Sequence, residues 1–166
     1  IYDQIWSLGH RNPLGIDFDL VGNLWEIEMG PAGGDELNLI ARGANYGYPV
    51  VSNGKHYDGR DIPDHETRPD FSSPAITWTP VISPGDFMVY RGSQFPWRGD
   101  ALVAGLSSKA LIRISLEGAE PRELERFPMG MRVRSVVEGP DGAIWILEDE
   151  RRDSLGRLFK LEWQEE

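Results

Sequence analysis

A seven-residue pattern that occurs twice limits the fold of this chain more than any other feature. Gly22–Glu28 reads Gly-Asn-Leu-Trp-Glu-Ile-Glu, and Gly142–Glu148 reads Gly-Ala-Ile-Trp-Ile-Leu-Glu. A weaker copy begins at Gly99, about 40 residues before Gly142, and this spacing is the period of a propeller blade. In each copy a turn glycine leads into a short apolar strand. The repeats therefore favour a β-propeller over a β-sandwich with chance similarity.

The remainder of the chain also reads as short strands. Apolar residues do not keep a helical spacing over any long window that is free of Gly and Pro. The 19 Gly and 12 Pro residues instead separate short apolar runs, which are typical of strands. Seven runs predict strands, at 15–18, 24–27, 101–104, 110–114, 133–137, 144–147 and 158–161. The predicted fold class is all-β.

The repeat spacing predicts about three blades. Residues 1–166 are expected to form one partial β-propeller domain, with a polar loop insertion at about 51–76. Propellers usually close with roughly four to eight blades. Three blades are therefore expected to be a fragment that lacks an N-terminal half, or a half that closes by self-association.

Composition excludes several classes of function. The 166 residues carry a formal net charge of -10, which argues against nucleic-acid binding because that function needs a basic surface. No apolar run reaches the roughly 18 residues of a membrane span. The chain has no Cys, so disulfides, thiolate metal sites and cysteine nucleophiles are excluded.

Two polar clusters come before or after predicted strands, where binding residues often lie. In 9–13, Arg11 beside Asn12 is suited to a carboxylate or a quinone oxygen, although a surface turn would look the same. In 28–36, Gly-Pro and Gly-Gly turns offer backbone carbonyls beside Asp35 and Glu36. These oxygen donors suit calcium, and the alternative is an ordinary acidic turn.

Two further clusters are less specific. In 43–49, Asn-Tyr-Gly marks a tight turn with an aromatic wedge, and a packed tyrosine is the simpler interpretation. Arg132 and Arg134 are two residues apart on a predicted strand, so both side chains point to one face. At the inner edge of a propeller they would form an anion site, whereas elsewhere they would form a solvated strand face.

Taken in order, these segments resemble one family. The chain looks like the C-terminal half of the soluble aldose sugar dehydrogenases that use pyrroloquinoline quinone, the glucose/sorbosone dehydrogenase family. The matching segments are 9–12, 22–25, 28–38, 43–49, 132–134, 139–142 and 147–149. The resemblance implies a six-bladed β-propeller that oxidises an aldose to a lactone and passes electrons to an acceptor. It also implies a periplasmic or extracellular location.

The resemblance implies roles for individual residues. Arg11 and Asn12 would contact the quinone, Arg132 and Arg134 would engage its carboxylates, and Asp149 would lie beside them. Some relatives place a lysine on the cofactor where this chain has Ser107, and Lys109 lies two residues later. We therefore include Lys109 as a cofactor candidate.

The implied metal is calcium. The carbonyls of Gly30 and Pro31 would hold the ion that also touches the quinone. Glu36 and the Tyr46 carbonyl would bind a second, structural calcium. Met29 stands where the family often has His or Gln. A methionine side chain cannot donate a hydrogen bond to the groups around the calcium ion or the quinone.

The general base of the family is a histidine in an N-terminal blade, and no segment of this chain matches it. His10 belongs to the Arg11 motif, while His56 and His65 lie in the polar insertion and are expected to be solvated. No catalytic residue is therefore assigned here, and the isolated chain is expected to be weakly active or inactive. Two alternatives stay open, namely a calcium-dependent lactonase on a similar propeller and a non-catalytic module that binds a sugar or a partner.

Overall fold

The computed structural model describes residues 3–118, 120–151 and 155–164. Within these ranges the chain forms eleven β-strands and one 3-10 turn, η1 (His65–Thr67). No helix of the described residues has the length and apolar character needed to cross a membrane.

The strands form three antiparallel sheets, each built from consecutive strands of the chain. The first sheet contains β1 (Pro13–Phe18), β2 (Leu24–Glu28), β3 (Asp35–Ile40) and β4 (Ile76–Trp78). The second contains β5 (Pro84–Val89), β6 (Ala101–Gly105), β7 (Ala110–Ser115) and β8 (Arg122–Pro128). The third contains β9 (Val133–Glu138), β10 (Ile144–Glu148) and β11 (Leu158–Leu161).

The three sheets stack side by side as propeller blades. The first strand of the second sheet, β5, contacts the first strands of both neighbours, β1 and β9. Two apolar cores fill the spaces between the sheets. One joins Trp25 and Ile27 of β2 to the second sheet, and the other joins Ile144 and Ile146 of β10 to its opposite face. The predicted all-β propeller fold with about three blades is therefore confirmed.

Each repeat copy forms the same turn. Gly22, Gly99 and Gly142 have φ values of +92°, +93° and +82°, a backbone region that favours glycine. Because the same turn precedes β2, β6 and β10, the recurrent glycine marks the second strand of every sheet.

All seven predicted strand runs lie in strands, but four further strands were missed. The most consequential is β3, because its first residues, Asp35 and Glu36, were predicted to lie in a calcium-binding loop or an acidic turn. They are instead buried strand residues paired with β4 and, for Glu36, with β2. The missed strands carry polar or proline residues that hide the apolar pattern, and these strands are β3, β4, β5 and β8.

A long connection, residues 41–75, links β3 to β4 and contains most of the segment predicted as an insertion. The prediction that His65 is solvated is wrong, since this residue is 3% exposed. Its Nε2 lies 3.0 Å from the Tyr46 carbonyl, and its Nδ1 lies 3.2 Å from Asn53 Oδ1. His65 therefore pins the long connection together, whereas His56 is half-buried.

Candidate functional site

Strand direction brings the candidate residues to one end of the three sheets. In an antiparallel sheet built from consecutive strands, the beginning of the first strand and the connection between the second and third lie at the same end. We call this the upper end. It carries Arg11 and Asn12 before β1, Gly30 and Pro31 between β2 and β3, Lys109, the Arg132–Arg134 segment, and Asp149 after β10.

Backbone hydrogen bonds tie these loops together in pairs. Met29 N donates to Asn12 O at 3.2 Å, Met129 N donates to Lys109 O at 2.8 Å, and Asp149 N donates to Arg132 O at 3.0 Å. The segments before β1 and β9 are thus fixed to neighbouring loops.

The Arg11 side chain lies over the turn that follows β2. Its Nη1 donates to the carbonyls of Met29 and Gly30, at 2.9 and 2.8 Å. The guanidinium also lies near the rings of Tyr48 and Tyr57, 5.7 and 5.8 Å from their centroids. Arg11 is therefore held against the Gly30 carbonyl, one of the predicted calcium ligands.

A cluster of buried polar side chains lies on one face of the first sheet, directly beneath this loop. Glu26 and Glu28 of β2 stand opposite Asn38 and Glu36 of β3, and all four are at most 5% exposed. Asn38 Nδ2 lies 3.1 Å from Glu26, 3.5 Å from Glu28 and 3.4 Å from Glu36. One amide group thus faces three carboxylates.

Glu28 also holds the loop before β1. Its Oε2 accepts the backbone N–H groups of Arg11 and Asn12, at 2.5 and 3.0 Å. The carboxylate thereby fixes the backbone that presents both predicted quinone contacts.

Burial raises the pKa of Glu26 to about 8, and the neighbouring Glu28 adds to the shift. Burial and Glu28 likewise raise the pKa of Glu36 to about 8. Burial lowers the pKa of His10, with an opposing effect from Glu28. A buried carboxylate group without enough donors needs either protons or a cation, so this face is suited to a metal ion.

A small cavity of about 10 Å³ opens between the cluster and the long connection. Its walls include Glu28, Gly30, Glu36 and Tyr46. This volume is about the room that one water molecule needs, and a calcium ion is no larger. Tyr46 itself is a packed tyrosine, since its hydroxyl donates to the Leu39 carbonyl at 2.5 Å.

Asp35 joins the first sheet to the second at the upper end. Its Oδ1 accepts Gly30 N at 3.0 Å, and its Oδ2 accepts Ser83 N at 2.7 Å. Asp35 is 1% exposed, and burial raises its pKa. This residue therefore acts through backbone contacts, which shape the Gly30 turn and place it beside the second sheet.

Arg132 and Arg134 share one carboxylate in the third sheet. Arg132 Nε donates to Asp149 Oδ2 at 2.7 Å, and Arg134 Nη2 donates to Asp149 Oδ1 at 3.0 Å. The hydrogen bonds from these guanidinium groups, Arg132 first, hold the pKa of Asp149 below its usual value. Asp149 thus brings the two guanidinium groups together at the upper end of the third sheet.

Lys109 lies in the turn between β6 and β7 and has a φ of +51°. Its backbone carbonyl accepts from Met129 N, so the turn is fixed to the segment that leads into β9. Among the described residues no hydrogen bond or ion pair joins the Lys109 side chain to another candidate. The structure thus brings Arg11 to Gly30 and joins Arg132, Arg134 and Asp149, while Lys109 stands apart from both groups.

The comparisons with known proteins show the family of this chain. The family model described as glucose/sorbosone dehydrogenase matches residues 1–158. The chain belongs to the glucose/sorbosone dehydrogenase family. It is 35% identical over 164 residues to the aldose sugar dehydrogenase YliI of Escherichia coli, which covers 95% of the chain and 43% of that protein.

Solved structures of this family have the same fold. A crystal structure of a glucose dehydrogenase superposes with a TM-score of 0.86 at 40% identity, covering 97% of this chain and 47% of that one. The quinone-bound form of an aldose sugar dehydrogenase from Streptomyces coelicolor superposes with a TM-score of 0.68 at 29% identity, covering 95% and 45%. The chain spans less than half the length of each of these relatives.

Sequence reasoning missed several buried polar residues of this family member. Glu26, Glu28 and Asn38 received no role, and His65 was placed in solvent. A usable signal was present: Glu26-x-Glu28 and Glu36-x-Asn38 each put two polar groups on one strand face. It was overlooked because β3 was not recognised as a strand.

Proposed function

We propose that this chain is part of an aldose dehydrogenase that uses pyrroloquinoline quinone and calcium, and that it supplies the cofactor and calcium residues. The observation that supports this most is the convergence of the candidate segments at the upper end of the blades. The protein would oxidise an aldose to a lactone, pass the electrons to an acceptor, and act in the periplasm or outside the cell.

The residues present fit the quinone, which carries several carboxylates. Arg132 and Arg134 meet at Asp149, and guanidinium groups are the donors that suit a carboxylate ligand. Arg134 keeps 42% of its side chain exposed, so it can reach a ligand. Arg11 Nε is buried, with no hydrogen-bond partner in the described part of the chain, and is a donor still to be used.

The residues also fit calcium, which prefers oxygen ligands. Gly30 and Pro31 would hold one ion through their carbonyls, and Glu36 with the Tyr46 carbonyl would hold another at the small cavity. Within the chain, Arg11 orients the Gly30 carbonyl and His65 orients the Tyr46 carbonyl. When bound, the quinone accepts a hydride and the calcium ion polarises it as a Lewis acid.

The base that removes the sugar hydroxyl proton would come from outside residues 1–166. His10 is hydrogen-bonded to Ser7, at 2.8 Å, and faces Glu26. His65 is buried against the Tyr46 carbonyl. Neither is free to take a proton from a substrate. The chain alone would therefore bind the cofactor and calcium without completing the reaction.

The test is a titration of pyrroloquinoline quinone into the chain, followed by its absorbance in the presence of calcium. The variant is Arg134→Gln, and the control is Arg126→Gln, a similarly exposed arginine paired with Glu123 on β8. A lost charge-assisted hydrogen bond costs about 1.5–3 kcal/mol. We therefore expect roughly tenfold or greater weakening for Arg134→Gln and no change for Arg126→Gln.

Other results would contradict the proposal. Equal quinone affinity of both variants would remove Arg134 from the site. An absence of saturable binding would favour the non-catalytic module, and hydrolysis of a lactone without quinone would favour the lactonase.

A further inference from the structure

Three potential metal ligands meet on the face of the first sheet that points away from the second. The side chains of His10, Glu26 and Glu28 each offer one ligand atom, and these atoms lie within 4.8 Å of one another. His10 comes from the loop before β1, and both glutamates come from β2. The group therefore bridges a loop and a sheet.

Two of the ligand side chains have unused polar atoms. Glu26 is 5% exposed, and its Oε1 is buried without a hydrogen-bond partner in the described part of the chain. His10 Nδ1 is likewise a buried atom without a hydrogen-bond partner among the described residues. An orphaned carboxylate oxygen in a protein interior is costly, so its presence points to a missing partner.

The imidazole is already oriented for a ligand. Ser7 Oγ binds the other ring nitrogen, Nε2, at 2.8 Å, and the ring stacks on Tyr46 with centroids 4.7 Å apart. These contacts aim Nδ1 at Glu26, whose Oε2 is 3.8 Å away. Metal-binding histidines typically have their second nitrogen fixed in this way.

We propose that His10, Glu26 and Glu28 form a cation site separate from the calcium ligands Glu36 and Tyr46, and that it takes a divalent transition cation. Calcium prefers oxygen ligands, whereas one imidazole nitrogen with two carboxylates suits zinc, cobalt or manganese. A cation there would fasten the loop that carries Arg11 and Asn12 to β2. Its role would be to hold the predicted quinone contacts in place.

The charge around the group supports this inference. Three buried carboxylates, Glu26, Glu28 and Glu36, face the single amide of Asn38, and of the three only Glu28 also accepts backbone N–H groups from the loop before β1. The neighbouring Arg11 spends its Nη1 donors on backbone carbonyls rather than on these carboxylates. A divalent cation would offset charge that the described residues leave unbalanced.

The test uses Co²⁺ alone, titrated into chelator-treated chain and followed by its visible absorption. We expect saturable binding at one site that persists in excess calcium. His10→Ala and Glu26→Gln should each weaken it by more than the roughly 10- to 100-fold typical of outer partners. Ser7→Ala, which leaves the three ligands intact, should weaken it by about tenfold.

The matched control is Glu36→Gln, which removes a carboxylate from the same face. It should weaken calcium binding far more than Co²⁺ binding. His10→Ala should weaken Co²⁺ binding far more than calcium binding, although the His10 ring also stacks on Tyr46. The proposal is overturned if Co²⁺ does not bind, if calcium displaces it stoichiometrically, or if correctly folded His10→Ala and Ser7→Ala both bind it normally. None of these readouts depends on quinone.

Discussion

The two copies of the repeated pattern build the same strand in two different environments. Gly22–Glu28 and Gly142–Glu148 each provide a turn glycine with positive φ followed by the second strand of a sheet. Both strands end in a buried glutamate that accepts backbone N–H groups from a neighbouring segment. Glu28 accepts from Arg11 and Asn12, and Glu148 accepts from Arg157. The backbone role of the repeat is therefore the same in both copies.

The difference lies in what surrounds the two glutamates. Hydrogen bonds from the Arg157 guanidinium lower the pKa of Glu148 to about 2. Glu28 instead has Glu26 and Glu36 beside it, and both of those groups have raised pKa values. At the position of Glu26 the second copy has Ile146, which packs in the core between the second and third sheets.

This contrast separates folding from function. The shared positions specify the turn and the strand, and the positions that differ decide whether the face becomes an apolar core or a charged cluster. A charged cluster costs stability unless something binds to it. The first sheet is therefore the part of the molecule where cation binding is expected.

The largest expected effect comes from making the third sheet resemble the first. Ile146 is 0% exposed, so Ile146→Glu would bury a lone carboxyl group among apolar side chains. We expect a loss of about 3 kcal/mol or more in the free energy of unfolding, measured by urea denaturation. Ile146→Val is the control and should cost about 0.5–1.5 kcal/mol. Equal costs for both variants would show that this face is not a tight core.

The second prediction concerns pH and metal removal. In chelator the folded chain keeps protons on Glu26 and Glu36 up to a pH of about 8, whereas the unfolded chain loses them near the ordinary pKa of 4.5. The unfolded state then binds fewer protons between these values, so stability falls as the pH rises through this window. Each group contributes a slope of up to about 1.4 kcal/mol per pH unit.

Glu26→Gln should remove the contribution of Glu26 to this pH dependence of stability. The measurement is the melting temperature of both proteins, recorded from pH 5 to 8. Added calcium should raise the melting temperature more at pH 8 than at pH 5, because a cation favours the ionised carboxylates. A metal-free chain whose stability is flat across this range, with no effect of Glu26→Gln, would contradict the account.

A smaller effect on stability is expected from replacing Arg157, the ion-pair partner of Glu148. Arg157→Gln removes the donor that keeps this buried carboxylate ionised. The pKa of Glu148, followed by carboxyl NMR, should rise towards the ordinary glutamate value. Below pH 4.5 the stabilisation from this pair is progressively lost in the parent chain, and the variant should show a weaker acid dependence. An unchanged pKa would mean that another group sets it.

The smallest predicted effect compares the two repeat tryptophans. Trp25 Nε1 donates to Asp19 Oδ2 at 3.0 Å, a contact that Phe cannot make. Trp25→Phe should cost about 1 kcal/mol for the hydrogen bond. Trp145→Phe is the comparison, since Lys160 lies over the Trp145 ring and contacts its face instead. A larger cost for Trp145→Phe, measured by thermal unfolding, would reverse this ranking.

The sequence was sufficient for the part of the fold that depends on local pattern. Turn glycines and short apolar runs predicted the second strands of all three sheets and the propeller class. The strand β3 was missed because it begins with two consecutive acids, Asp35 and Glu36, and both are buried. A buried acid and a solvated acid look alike in sequence, and only pairing across β2 and β3 distinguishes them.

The contacts between the candidate residues could not be predicted from the sequence. The spacing of Arg132 and Arg134 predicted a shared direction, and both meet Asp149. The position of Arg11 over the Gly30 carbonyl depends on how the loop before β1 crosses the turn after β2. The burial of His65 depends on the path of residues 41–75. Contacts between loops that are far apart in the chain leave no periodic pattern in the sequence.

The most direct test of the account is the mutual dependence of quinone and calcium binding. If both occupy the upper end, calcium should tighten quinone binding and quinone should tighten calcium binding by the same factor, as thermodynamic linkage requires. The measurement is calorimetric titration of each ligand into chelator-treated chain, with and without saturating amounts of the other. Equal reciprocal tightening that is reduced in Arg134→Gln is the predicted result. Independent binding, or no quinone binding with calcium present, would contradict the account.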